Sequence, residues 1–140
     1  HVTGRTGITH HADTTLAALA VEQNFDVLVL PGGPGVKHLR ADLRVRARIL
    51  AQASGTGWLA AICAATTVLH DAGVLAGRRY TAHPSVEHEL PATLATERVV
   101  VDDRLITSRG AGTALDFALA LVGAVAGTAK AREIATAIAT

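Results

Sequence analysis

The 140-residue chain contains one cysteine, one tryptophan, one tyrosine, two phenylalanines and no methionine. A lone cysteine makes no internal disulfide, which points to a reducing compartment and to the cytoplasm as the expected location. Aromatic residues are 3% of the chain while hydrophobic residues reach 49%. The core must therefore be filled by Ala, Val, Leu and Ile, a filling that suits slim helices packed closely on a sheet. Long apolar runs are missing as well. The nearest approach, Ala114 to Ala126, is too short and too rich in Gly and Ala to span a bilayer, and no secretory leader pattern is seen, so no membrane partner is expected. Charge of one sign is not in excess either: the formal net charge is +1 and the 13 basic residues are scattered, which argues against nucleic-acid and membrane-surface partners. The densest group, Arg40, Arg44, Arg46 and Arg48, falls on one expected amphipathic helix beside Leu39, Leu43, Ile49 and Leu50, and reads as a solvated face.

Metal and nucleotide chemistry find little support. Of seven histidines, His10 and His11 are adjacent and His83 and His88 are five apart, so neither pair has the i, i+4 spacing of a helical zinc site, and no metal is expected. The stretches Gly32-Gly33-Pro34-Gly35 and Gly110-Ala111-Gly112-Thr113 lack the Lys-Ser/Thr ending of a phosphate loop and the GxGxxG spacing of a dinucleotide fold.

What is present is an alternation of apolar strands and helices, the mark of a mostly parallel sheet covered on both faces within one α/β domain over residues 1–140. The pattern predicts a strand over Gly7 to Ala12, a helix over Thr14 to Val21 capped by Asp13, and a central strand over Phe25 to Leu30 that ends in Pro31-Gly32-Gly33. Asp42 is expected to cap a helix through about Ala53, and a strand follows from Gly57 to Ile62. A helix from Ala64 to Asp71 closes at Gly73, and a short strand over Arg79 to Ala82 ends at His83-Pro84. Arg98 to Val101 and Leu105 to Thr107 read as a strand pair turning at Asp102-Asp103, followed by helices over Thr113 to Ala126 and Ala129 to Ala139.

Cys63 lies at the turn between the strand ending at Ile62 and the helix that follows. A side chain there is displayed, and the amides that open a helix favour negative charge, either on the thiolate or on an oxyanion. Ala60, Ala61, Ala64 and Ala65 leave room for a tight turn and a close approach, as in nucleophile elbows generally. A lone cysteine in an aliphatic chain is otherwise a small core residue. The strand ending in two glycines lets one amide, that of Gly33, turn inward and join the amide of Ala64 in polarising a carbonyl. His83, locked by Pro84 at the end of its strand, is the candidate acid or base.

Four segments carry a resemblance: Phe25 to Gly33, Leu59 to Ala65, Tyr80 to Pro84, and Leu105 to Leu119. In that order they resemble the hallmark segments of the ThiJ/PfpI family, nearest its Parkinsonism-associated deglycase and YajL-like branch, within the class I glutamine amidotransferase-like superfamily. The resemblance runs from about Arg5 to Ala135 and implies a flavodoxin-like three-layer sandwich, a homodimer and a site without cofactor. It implies Cys63 as nucleophile, His83 beside it, and Gly33 and Ala64 as amide donors. Arg5, in the pair Gly4-Arg5, corresponds to an arginine that members place near the dimer interface and anion site, although its spacing to Asp13 is one residue off the pattern. Thr66 stands where relatives usually have proline.

The branch also carries a glutamate on its first helix, after a first strand, that donates a hydrogen bond to the cysteine sulfur. No segment here matches it; Glu22, Glu87, Glu89, Glu97 and Glu133 fall in other motifs. Two expectations follow: either a segment of about 45 residues is not represented, or the chain is a catalytically weakened relative. The absent strand would be an inner one, leaving unpaired main-chain groups in mid-sheet. The implied activity is cofactor-free conversion of 2-oxoaldehydes such as methylglyoxal to hydroxy acids, or deglycation of glyoxal adducts on proteins or nucleotides. The alternative is an oxidation sensor or stress chaperone based on the same sulfur, with amidohydrolase or peptidase chemistry last because Ala64 replaces the histidine those branches place after cysteine.

Overall fold

A computed structural model of the chain describes residues 1–20 and 22–140. Its centre is a four-stranded sheet made of β3 (Val27–Leu30), β4 (Trp58–Ile62), β5 (Val99–Asp102) and β6 (Leu105–Ser108), in the order β3-β4-β6-β5. The β3–β4 and β4–β6 pairs are parallel, with Leu30 opposite Ala61 and Ile62 opposite Ser108, whereas β5 and β6 form an antiparallel hairpin. One face is covered by α1 (Val36–Ala41), α2 (Leu43–Ser54) and α3 (Thr66–Asp71): Val36, Val45, Ile49, Val68 and Leu69 pack on Leu30, Leu59, Ala61 and Leu105. On the other face α4 (Ala114–Ala126) sets Phe117 against Ala60 and Ile106, and α5 (Thr128–Ala137) packs on α4. This is a three-layer α/β fold. Ala60 and Ala61, both fully buried, are small enough for helices to approach β4 from both sides.

The sheet places its parallel strand ends, and hence the loops after β3 and β4, side by side. Open α/β sheets bind ligands at that carboxyl edge.

Several expectations are corrected. The strand expected over Gly7 to Ala12 is only β2 (Thr9–His10), paired with β1 (Val2–Thr3) in an exposed two-stranded hairpin outside the main sheet. Polar residues and histidines give it no apolar face to bury, and Gly7, at φ +82, shapes its turn. The helix expected from Thr14 shrinks to a single 3-10 turn, Leu16–Ala18, with Thr15 rather than Asp13 at its start and no side-chain cap; its expected end, Val21, lies outside the described residues. Arg79 to Ala82 is not a strand, because the amide of Thr81 donates to the hydroxyl of Thr107 at 2.9 Å instead of to a neighbouring strand's carbonyl.

The arginine group does not share one solvated helix. Asp42 divides it into α1 and α2, capping α2 by accepting from the Arg44 amide at 2.9 Å. In α2 the buried face is Val45, Arg48, Ile49 and Gln52, while Leu43 and Leu50 are exposed. Arg48 is only 4% exposed because its guanidinium donates to the carbonyls of Ala20 and Gln23 and lies over the Phe25 ring. β3 stands at the edge of the four-stranded sheet, with no strand on its outer side among the described residues.

Candidate active site

The cysteine sits where β4 stops. Ile62 is still extended (φ −123, ψ 142), but Cys63 has φ +65, in the left-handed region that side chains avoid at a cost of about 1 kcal/mol or more. A 3-10 turn, Cys63–Ala65, then leads into α3. This corner turns the side chain out of the sheet, and the thiol is free and half-buried. Among the described residues, Sγ accepts no hydrogen bond from a side chain, and no carboxylate reaches it.

Gly32 explains why the loop after β3 begins with glycine. A Cβ there would stand 2.6 Å from Cys63 Cβ, 2.9 Å from the Ile62 carbonyl and 3.3 Å from Sγ. Gly33 follows at φ +95 with open space where a side chain would project, and its carbonyl accepts from the Val36 amide at 3.1 Å. Its own N–H has no main-chain acceptor among the described residues, leaving a donor next to the thiol's neighbour. Ala64, directly after the cysteine, is half-buried, and its carbonyl accepts from the Thr67 hydroxyl at 2.7 Å.

His83 reaches the elbow through its main chain, donating its amide to the Cys63 carbonyl at 3.4 Å. Its ring is oriented by Ser85: Nδ1 lies 2.8 Å from Ser85 Oγ and accepts from the Ser85 amide at 3.2 Å, which leaves Nε2 free. On its other side the ring abuts Gly110, where a Cβ would come within 3.2 Å of His83 Cδ2. No hydrogen bond joins the imidazole to Sγ. The segment leading to His83 is held by buried hydroxyls: Thr66 donates to the Thr81 carbonyl at 3.1 Å, and Thr81 donates to the carbonyls of Leu94 and Glu97. Thr66 thus fills the usual proline position with a bond of its own.

Arg5 lies on the exposed hairpin turn. It lines a cleft of about 500 Å³ between the hairpin and the loop after β3, a cleft that also includes Gly32, Gly33 and His38. The structure therefore brings Arg5, Gly33 and the surroundings of Cys63 to one edge of the sheet, while His83 approaches from the far side of the elbow. His38 was not singled out by the sequence. It is exposed in the first turn of the short helix that follows the glycine loop, and the signal available was only its distance of three residues from Gly35. No group of three or more His, Cys, Asp or Glu side chains gathers into a metal-binding cluster among the described residues.

A profile of the DJ-1/PfpI family matches residues 1–124. The Drosophila melanogaster protein dj-1beta is 43% identical over 127 residues, covering 88% of this chain and 67% of the relative. The glutathione-independent glyoxalase DJR-1.2 of Caenorhabditis elegans is 35% identical over 115 residues, covering 80% of this chain and 61% of the relative. Among solved structures, Drosophila melanogaster DJ-1beta superposes with a TM-score of 0.91 at 37% identity, over 99% of this chain and 76% of that one. The chain spans about two thirds or less of the length of these two relatives.

Proposed function

Because the chain belongs to the DJ-1/PfpI family, we propose that Cys63 is the nucleophile of a cofactor-independent enzyme that converts 2-oxoaldehydes such as methylglyoxal to hydroxy acids. The observation that carries this reading is the positive φ of Cys63, a strained corner that lifts the sulfur toward the open end of the sheet against Gly32. The similarity to a glutathione-independent glyoxalase supports the same chemistry.

In this scheme the thiolate adds to the aldehyde carbon. A C–S bond forms, and the carbonyl electrons move to oxygen, where the amides of Gly33 and Ala64 stabilise the oxyanion. His83, whose Nε2 is free, carries the proton from that carbon to the adjacent keto carbon, leaving a thioester. Water then cleaves the C–S bond, releasing lactate and the thiolate. The aldehyde carbon is oxidised and the keto carbon reduced within one molecule, so no outside oxidant takes part. The same steps on glyoxal adducts of proteins or nucleotides amount to deglycation.

The wider reading includes a homodimer formed through the hairpin, whose Val2 and Ile8 are exposed, and action in the cytoplasm. It also includes a preceding strand and helix that would pair the open edge of β3 and bring a glutamate to the sulfur. The test is lactate formation from methylglyoxal without cofactor. Wild-type turnover that Cys63→Ala abolishes is expected; full turnover in Cys63→Ala overturns the scheme.

One observation favours a second reading. With no side-chain partner on Sγ among the described residues, the half-buried thiol is also suited to an oxidation sensor that stops at the sulfinic acid. Mild peroxide followed by mass measurement tests it: a sensor accumulates the sulfinate on Cys63, and a reversible change without that species argues against sensing.

A further inference from the structure

Three arms leave the candidate site, and one guanidinium holds their outer ends. The first starts at Gly33, whose carbonyl accepts from the Val36 amide at 3.1 Å and so opens α1, which carries Arg40 in its last turn. The second starts at Cys63 and runs through its 3-10 turn into α3, which ends at Asp71. The third starts at His83, whose carbonyl accepts from the Val86 amide at 3.0 Å; the Val86 carbonyl in turn accepts from the Glu89 amide at 3.0 Å. Each arm is therefore hydrogen-bonded from its site residue to its far end. There Arg40 donates Nε to Asp71 Oδ2 at 2.6 Å and Nη2 to Asp71 Oδ1 at 3.1 Å, and Nη2 also lies 2.8 Å from Glu89 Oε2. Among the described residues no other arginine pairs with carboxylates from two elements: Arg44 pairs with Asp42, Arg78 with Asp102 and Arg98 with Asp116.

A lone ion pair on a surface contributes little, but a forked guanidinium shared by two carboxylates, with side chains between 32% and 35% exposed, fixes geometry. The arms need such a tie. Helices α1 and α3 have six residues each, too few to be stable alone, so contacts elsewhere in the fold set their directions. Asp71 also stands at the C-terminal end of α3, where the helix dipole disfavours a carboxylate, and Arg40 offsets that placement. We propose that Arg40 is a positioning residue for the chemistry of Cys63: by tying α1, α3 and the turn after His83 at their outer ends, it keeps the Gly33 amide, the thiol and the imidazole in register at their inner ends. This rests on the reading of Cys63 as nucleophile. Arg40 acts on the reacting atoms only through these arms, so its loss harms a reaction that needs all three groups more than one that needs the sulfur alone.

The experiment removes the fork in Arg40→Met, keeps the charge without the fork in Arg40→Lys, and cuts single arms in Asp71→Asn and Glu89→Gln. Arg44→Met is the control, since its ion pair with Asp42 is confined to the start of α2. Three readouts are taken below the unfolding transition of every variant: kcat and KM for methylglyoxal, the rate of Cys63 alkylation by iodoacetamide, and the amide signals of Gly33, Ala64 and His83 in a two-dimensional spectrum. Arg40→Met is expected to lower kcat about tenfold with little change in KM, to leave alkylation within about twofold, and to shift all three signals. Arg40→Lys recovers part of the rate. Of the three signals, Asp71→Asn shifts that of Ala64, Glu89→Gln that of His83, and Arg44→Met none. Unchanged kcat or unmoved signals in folded Arg40→Met overturns the inference, and so does an equal loss of kcat and alkylation, which assigns Arg40 to general stability. If Arg40→Met does not fold, the single-arm variants decide, and absence of their shifts overturns it. Signals that move together in a protein whose wild type turns over no methylglyoxal uphold the tie between the arms and remove the enzymatic reading.

Discussion

Thr66 donates its hydroxyl to the carbonyl of Thr81 at 3.1 Å, and both residues are fully buried. One bond therefore ties the first residue of the helix after Cys63 to the segment that carries His83. Thr66→Val keeps the shape and leaves a buried carbonyl without this donor, at an expected cost of about 1–3 kcal/mol in urea denaturation. Thr66→Ser should recover most of it, which distinguishes loss of the bond from a packing defect.

Gly32→Ala should suppress the chemistry of Cys63 without touching the cysteine. The new Cβ meets Cys63 Cβ and the Ile62 carbonyl inside contact distance, so the elbow or the loop must shift. Displacement by about 1 Å is enough for an approximately hundredfold loss of rate. Iodoacetamide labelling followed by mass spectrometry reads it; unchanged labelling would show that the close approach of Gly32 is dispensable.

Acid should loosen the outer helices before it affects the elbow. The Arg44 side chain and amide hold the Asp42 carboxyl down to about 2, Arg40 lowers that of Glu89, and Arg78 together with the Arg79 amide lowers that of Asp102. A carboxylate whose folded-state pKa lies below its unfolded one adds stability above the unfolded value and loses it as pH falls through the folded one. Thermal unfolding should therefore hold level down to the ordinary carboxylate range and fall from there toward pH 2. Asp42→Ala should lower the plateau and flatten this decline; an equal decline in that variant would assign it to other groups.

Much of the site was legible because its signals are local. Val27 to Gly33 is an apolar run that ends in glycines, and Trp58 to Ile62 is another that ends in small residues around Cys63; each segment by itself dictates a strand and a tight corner. The failures arise where side chains substitute for main chain across long distances in sequence. Tyr80 and Thr81 have strand-like composition, yet the Thr107 hydroxyl takes the place of a neighbouring carbonyl. Arg48 is buried because carbonyls at Ala20 and Gln23 receive it, which hydropathy does not register, and Leu43 is correspondingly left 76% exposed. His38 was missed because its relevance depends on the hairpin carrying Arg5, more than thirty positions earlier, folding over the glycine loop.

The most direct measurement is mass mapping of the intact protein after brief exposure to methylglyoxal and an acid quench. A strained corner that presents the sulfur as nucleophile predicts an adduct of one methylglyoxal on the Cys63 peptide, formed ahead of any on Lys or Arg. Adducts spread over Lys and Arg with Cys63 unmodified would contradict it.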